Sequence, residues 1–339
     1  MTQAQTDPQP QGRPKRWAPT IRTQQRLALA LLIGQGGITA TGATVRVTGS
    51  GLGCNTWPNC HEGSLVPVAG AAPWIQQAIE FGNRLLTFVL VALAAAVFLA
   101  LKSAHRRTEL MAHAWAQIGG IVVQAVIGGI SVRLDLQWWA VALHFMPSMV
   151  LVWLAAILYL RIPEPDDGVR TPTFPAAYKI LAAVAATMLF VVLITGTMVT
   201  GAGVHSGDAG IGMEGRLDVD IDLMAHIHAW CMYAYLALTL FLAVGLYLRR
   251  APQRTMRFAL WLISLILVQA AIGIIQYRLG IPAWTIPVHV GMSAVVTAFT
   301  AMLWATGIVR REGTPTVTGS LHGDHKRAAL LAEKAQTTT

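Results

Sequence analysis

Long apolar runs alternate along the chain with short polar stretches. Each run is close to the roughly 20 residues that an α-helix needs to cross a ~30 Å hydrocarbon core. The runs lie at 27–47, 79–101, 113–131, 138–160, 179–200, 223–248, 258–277 and 284–309, which predicts eight membrane-spanning helices. The first 26 residues are polar, rich in Pro and Gln, and have no apolar h-region, so a cleavable signal peptide is not expected and the first run is read as a retained span.

Composition agrees with this pattern. Over the 339 residues, 54% are hydrophobic, only 12% are charged and the mean hydropathy is +0.53, which excludes an ordinary water-soluble domain. The net charge of +9 does not indicate a nucleic-acid partner, because the cations sit at the edges of the apolar runs and not along one amphipathic face. With the N-terminus inside, 20 of the 25 Lys and Arg residues fall in the tails and inner loops, so both termini are expected to be cytoplasmic.

An internal repeat organises the chain. Gln124-Ala125-Val126-Ile127-Gly128 through Arg133-Leu134 matches Gln269-Ala270-Ala271-Ile272-Gly273 through Arg278-Leu279 at an offset of 145 residues. The same offset carries His144 onto His289 and Ser148 onto Ser293 without a gap. A looser match joins Thr41-Gly42-Ala43-Thr44-Val45 to Thr195-Gly196-Thr197-Met198-Val199, so the first outer loop is longer in the first half. Four spans per half give both halves the same orientation. The expected fold is therefore all-α and integral to the membrane, two tandem four-helix bundles related by a pseudo-twofold axis along the membrane normal. The predicted division is a tail at 1–26, a first repeat at 27–160, a linker at 161–178, a second repeat at 179–309 and a tail at 310–339.

Within the spans lie His144, His226, His228 and His289. A lone intramembrane histidine can simply bond a neighbouring helix, but an ionisable side chain there is costly, and two at equivalent repeat positions point to a shared function. Counted from the interfacial Trp138-Trp139 and Trp284, His144 and His289 lie about 8–9 Å deep in the outer half of the bilayer. The offset aligns Asn83 with His228, so each bundle has two polar residues at similar depth on even-numbered helices, and in the second half both are histidines. Two histidines on facing helices in an apolar bundle suit bis-axial ligation of a haem iron. His226, two residues from His228 and on a different face, is its rival for that role. Arg46, Arg84, Arg133 and Arg278 are the few cations near the outer side, either as propionate partners or as ordinary interfacial arginines.

Cys54 and Cys60 lie in the first outer loop, where an oxidising compartment permits a disulfide. The alternative is a metal site with His61 as the one added ligand nearby. Cys231 falls within the sixth span and reads as packing.

The loop from Thr48-Gly49-Ser50-Gly51-Leu52-Gly53-Cys54 to Trp57-Pro58-Asn59-Cys60, the stretch Ile79-Glu80-Phe81-Gly82-Asn83-Arg84 and the duplicated histidine helices resemble the haem A synthases over about residues 27–309, with an actinobacterial look. The resemblance implies oxidation of the C8 methyl of haem O to a formyl group, giving haem A for terminal oxidase assembly in the cell membrane. It implies haem b held by His228 and His289, substrate haem O near His144 as ligand or contact, Glu80 as the essential acid, against the plainer reading of an interfacial acid paired with Arg84, and Cys54 and Cys60 as the loop pair. The implied partners are haem O, a haem O synthase, terminal oxidase assembly factors and a membrane electron acceptor, with no nucleic acid. One residue departs from the pattern: Asn83 stands where better-known members have histidine, which would leave an iron held by His144 open on its other side to water, oxygen or Asn83. The third outer loop, Gly203-Val204-His205-Ser206-Gly207-Asp208, lacks the family's cysteine pair; His205 there is a haem-edge candidate or a solvated loop residue.

Two other classes compete. A bis-His cytochrome b electron-transfer subunit would need only His228 and His289, and has no use for Glu80 or for two unlike halves. A secondary transporter also carries repeats, but its polar sites usually lie near the midplane on broken helices.

Overall fold

The computed structural model describes residues 18–203, 205 and 215–312. The predicted tails before residue 18 and after residue 312, and most of the third outer loop, fall outside the described residues. All eight apolar runs form helices: α1 (Ile21–Val47), α2 (Trp74–Ser103), α3 (Thr108–Arg133), α4 (Trp138–Arg161), α5 (Ala176–Ala202), α6 (Ile221–Leu248), α7 (Gln253–Arg278) and α8 (Thr285–Ala305). Each is long and apolar enough to span a membrane. Large side chains such as Val122, Trp230, Phe241 and Trp261 are exposed on the outside of the bundle, as expected where lipid is the solvent.

Several helices begin about a turn earlier than the apolar runs. The first two turns of α1 and of α7 carry Arg22, Arg26, Arg254 and Arg257, which belong outside the hydrocarbon yet keep the helix going. Hydropathy reads the apolar section of a helix, whereas hydrogen bonding sets its ends. Two starts have side-chain caps: Thr20 Oγ1 accepts the Thr23 N–H, and Asp220 Oδ1 accepts the Leu223 N–H at 2.9 Å. The last run is corrected at its C-terminal end. The helix stops at Ala305, and Ile308–Arg311 form strand β2, antiparallel to β1 (Val169–Pro172) of the linker. Gly307 packs against Phe174 there, and β-branched Ile308 and Val309 suit the strand.

In the first half α1 packs on α2 and α4, and α3 on α2 and α4; in the second, α5 packs on α6 and α8, and α7 on α6 and α8. The halves meet through α1 and α4 against α8, and α4 against α5. Small residues make the closest approach: a Cβ on Gly291 would lie 3.2 Å from that of Ala40, and one on Gly36 would lie 3.5 Å from that of Ala294. The repeat extends to the turns. His105 and Arg250 both take left-handed backbone after α2 and α6, and Leu136 and Ile281 do so after α3 and α7, each turn closed by matching hydrogen bonds such as Arg106 N–H to Leu101 and Ala251 N–H to Leu246.

At the end opposite the cysteine loop, Arg106 and Arg107 bind Asp166, Arg107 and Arg161 bind Glu164, and Glu109 gathers Arg107, Arg161, Arg170 and Arg310. This network and the β1–β2 pair tie the linker and the end of α8 to α3 and α4.

Candidate functional site

Near the cysteine-loop end, within the first three turns of α6 and α8, His228 and His289 come together edge to face. Their ring centroids are 6.4 Å apart and the planes are inclined at 64°. His228 Nδ1 is hydrogen-bonded to Thr195 Oγ1 of α5 at 3.0 Å, and Nε2 has no hydrogen bond among the described residues. Glycines back both rings: a Cβ on Gly196 would lie 3.2 Å from His228 Cε1, and one on Gly273 would lie 3.1 Å from His289 Cε1. Gln269 Nε2 donates to the His289 carbonyl at 3.1 Å, while the enclosed His289 Nδ1 has no hydrogen-bond partner among the described residues. The donor set fits a metal between the rings. Metal–imidazole bonds of about 2 Å on each side, with roughly 1 Å more to each ring centre, put the centroids about 6 Å apart.

His226 does not share this space. It is exposed, its Nδ1 meets the Asp222 carbonyl at 2.6 Å, and its ring stands edge-on to Tyr277 at 6.0 Å.

The first half repeats this frame with one exchange. His144 of α4 has Gly128 behind it, where a Cβ would lie 3.1 Å from Cε1, and Gln124 Nε2 donates to the His144 carbonyl at 2.9 Å and to Ser148 Oγ. The His144 Nδ1 is enclosed without a hydrogen-bond partner among the described residues, as in His289. At the position on α2 that the repeat aligns with His228 stands Asn83, whose Oδ1 accepts the Thr41 hydroxyl of α1 at 2.7 Å. Thr41 thus serves Asn83 as Thr195 serves His228.

Glu80, one turn outward of Asn83, is buried at 5% exposure and anchored. Its Oε2 accepts the Cys54 N–H at 2.6 Å, and its Oε1 accepts Arg84 Nη2 at 2.6 Å and Nε at 3.2 Å. The repeat equivalent of Glu80 is Ala225, so this acid belongs to the first half alone. Arg84 also donates to the carbonyls of Cys54, Thr56 and Asn59, which engages all five of its N–H groups. The guanidinium thereby clamps the loop onto α2. Exposed Arg133 donates to the Trp57 carbonyl at 2.9 Å, and exposed Arg278 has no hydrogen bond among the described residues.

Cys54 and Cys60 form a disulfide. His61 commits both ring nitrogens to Asn55 and Gln77, and the described residues contain no group of three or more His, Cys, Asp or Glu side chains placed to hold a metal ion. Gly53 lets this loop lie against α2: a Cβ there would be 2.6 Å from the Gln76 carbonyl carbon and oxygen. His205 Nε2 lies 3.2 Å from the Ile281 carbonyl. Cys231 is free and packs against the core of the second half.

The sequence reading missed Thr41, Thr195, Gly128, Gly196, Gly273, Gln124 and Gln269 as parts of the site. Their signal was present, because all of them lie in the matched stretches that defined the repeat.

Comparison with known proteins agrees in kind. A family described as cytochrome oxidase assembly protein matches residues 25–301. Two similar proteins, each named haem A synthase, come from Exiguobacterium. One, from Exiguobacterium sp., is 32% identical over 130 residues, covering 37% of this chain and 41% of the relative. The other, from Exiguobacterium sibiricum, is 29% identical over 164 residues, covering 48% and 54%. The chain thus spans about half of these relatives or less. A haem A synthase of Sinorhizobium medicae is 27% identical over 322 residues, covering 78% of this chain and 84% of the relative.

Proposed function

The chain belongs to the cytochrome oxidase assembly protein family, and we propose that within it the protein is a haem A synthase, oxidising the C8 methyl of haem O to a formyl group. The observation that carries the proposal is the pair of unlike halves on one frame. A two-histidine site at His228 and His289 is duplicated as a site with His144, Asn83 and an acid, Glu80, that the other half lacks. An electron carrier alone would need only the first site.

In this reading His228 and His289 hold the iron of haem b, and the exposure of His226 favours His228 as the ligand. The Thr195 hydroxyl orients the His228 ring so that Nε2 faces inward. Haem b would supply a one-electron redox centre between the substrate half and a membrane electron acceptor. His144 holds the substrate haem O in the first half. Glu80 accepts a proton at Oε2, the oxygen that receives only one hydrogen bond and keeps a lone pair free. Arg133 and Arg278 are the cations available to propionates. The Cys54–Cys60 loop, clamped by Arg84 and Glu80, excludes water from the first half.

Under the same proposal the halves at 27–160 and 179–309 are related by a pseudo-twofold axis along the membrane normal. The unchanged pattern of helix pairing on exchanging α1–α4 with α5–α8 supports this. Both termini are cytoplasmic and the cysteine loop is extracellular, supported by the cations of the opposite end. A haem O synthase and terminal oxidase assembly factors are the expected partners.

The test is expression in a host lacking this activity, with and without a supply of haem O, followed by chromatographic identification of the extracted haems. Haem A that appears only with haem O and is lost in Glu80→Ala supports the synthase. Haem b alone under both conditions would instead identify a cytochrome b electron-transfer subunit.

A further inference from the structure

The two halves differ at one repeat-equivalent position, Asn83 of α2 against His228 of α6, and the hydrogen bond at that residue determines what it presents. In the second half Thr195 takes Nδ1 of His228, whose ring lies 6.4 Å from that of His289. In the first half Thr41 donates to Oδ1 of Asn83 at 2.7 Å, closer than its other acceptor, the Ile38 carbonyl at 3.1 Å. The Asn83 amide nitrogen has no hydrogen-bond partner among the described residues. The glycine after each threonine reports the missing volume: a Cβ on Gly196 would meet the His228 ring at 3.2 Å, whereas one on Gly42 would meet nothing within 4 Å. An asparagine is too short to fill the space of the imidazole, and its amide N–H is a donor with no electron pair to offer a metal.

We propose that the first half binds its haem through His144 alone, and that the space beside Asn83 is a binding position for a diatomic ligand whose far atom accepts a hydrogen bond from the Asn83 amide, an amide oriented by Thr41. The inference rests on the proposal that the first half takes the substrate haem. A donor facing an open coordination position favours ligand binding over electron transfer, whereas two ring nitrogens close the iron to outside ligands. The two halves therefore divide ligand binding and electron transfer between them.

The experiment uses the full-length protein purified from cells supplied with haem O, with carbon monoxide as probe. The haem belonging to the first half is identified as the one lost in His144→Ala. In the wild type that haem is expected to bind carbon monoxide after reduction, while the haem lost in His289→Ala does not. Asn83→His should abolish carbon monoxide binding and add a second low-spin, bis-imidazole signal in electron paramagnetic resonance. Asn83→Leu should keep the binding but raise the C–O stretching frequency, because the donor is gone. A His144-dependent haem that ignores carbon monoxide in the wild type overturns this inference and leaves the proposed function standing. If no haem depends on His144, the assignment of the first half fails, and this inference fails with it.

Discussion

Gly53→Ala is expected to disable the first half without touching the second. The new Cβ would sit 2.6 Å from the Gln76 carbonyl carbon and oxygen and 2.8 Å from the Gln77 nitrogen, all backbone atoms of α2 that cannot rotate away. Reaching ordinary contact requires the loop to retreat by about 0.8 Å, the gap between 2.6 and 3.4 Å. The next residue is Cys54, whose N–H now lies 2.6 Å from Glu80 Oε2; a retreat of that size takes it to roughly 3.4 Å, beyond a normal hydrogen bond. Loss of that bond at a buried carboxylate costs about 1–3 kcal/mol, and a misplacement near 1 Å at a reacting group costs on the order of a hundredfold in rate. The assay is the ratio of haem A to haem O extracted from cells supplied with haem O, measured beside the spectrum of the haem proposed for His228 and His289. The ratio should fall by about a hundredfold while that spectrum is unchanged. Gly119→Ala is the control, because its Cβ would meet nothing within 4 Å in the middle of α3. A Gly53→Ala protein that makes haem A at the wild-type ratio would refute the argument that the loop backbone holds the acid.

Further outcomes follow from the same geometry. His228→Ala is expected to lose the second-half haem and His226→Ala to retain it, checked by haem content after purification; equal loss in both would remove the distinction drawn from their exposure. Thr195→Val, which removes the bond to His228 Nδ1 at nearly constant volume, should weaken haem retention in that half by about 10–100-fold, measured by competition with a haem-binding apoprotein. Gly291→Leu should push α8 from Ala40 of α1 and lower stability by about 1–3 kcal/mol, read from the thermal unfolding midpoint in detergent. Cys60→Ser should free the loop that the disulfide closes, speeding its proteolysis and lowering haem A yield while leaving the haem spectrum of the second half in place.

The sequence by itself determined the eight helices, because a ~30 Å hydrocarbon core imposes one length and one composition on every span. It also determined the repeat, since His144 and His289, Gly128 and Gly273, and Gln124 and Gln269 fall on one 145-residue offset. The strand at Ile308–Arg311 was invisible, because its apolar residues continued the last run and only pairing with Val169–Pro172 distinguishes a strand from one more turn of helix. The loop contacts of Arg84 were equally hidden: only the folded loop brings the carbonyls of Cys54, Thr56 and Asn59 around it. His226 and His228 were two histidines on one helix until α7 and α8 packed beside them, exposing one and turning the other toward His289. Periodicity fixes which residues share a face, but the direction a face points is set by the helices packed around it, and those neighbours lie tens of residues away along the chain.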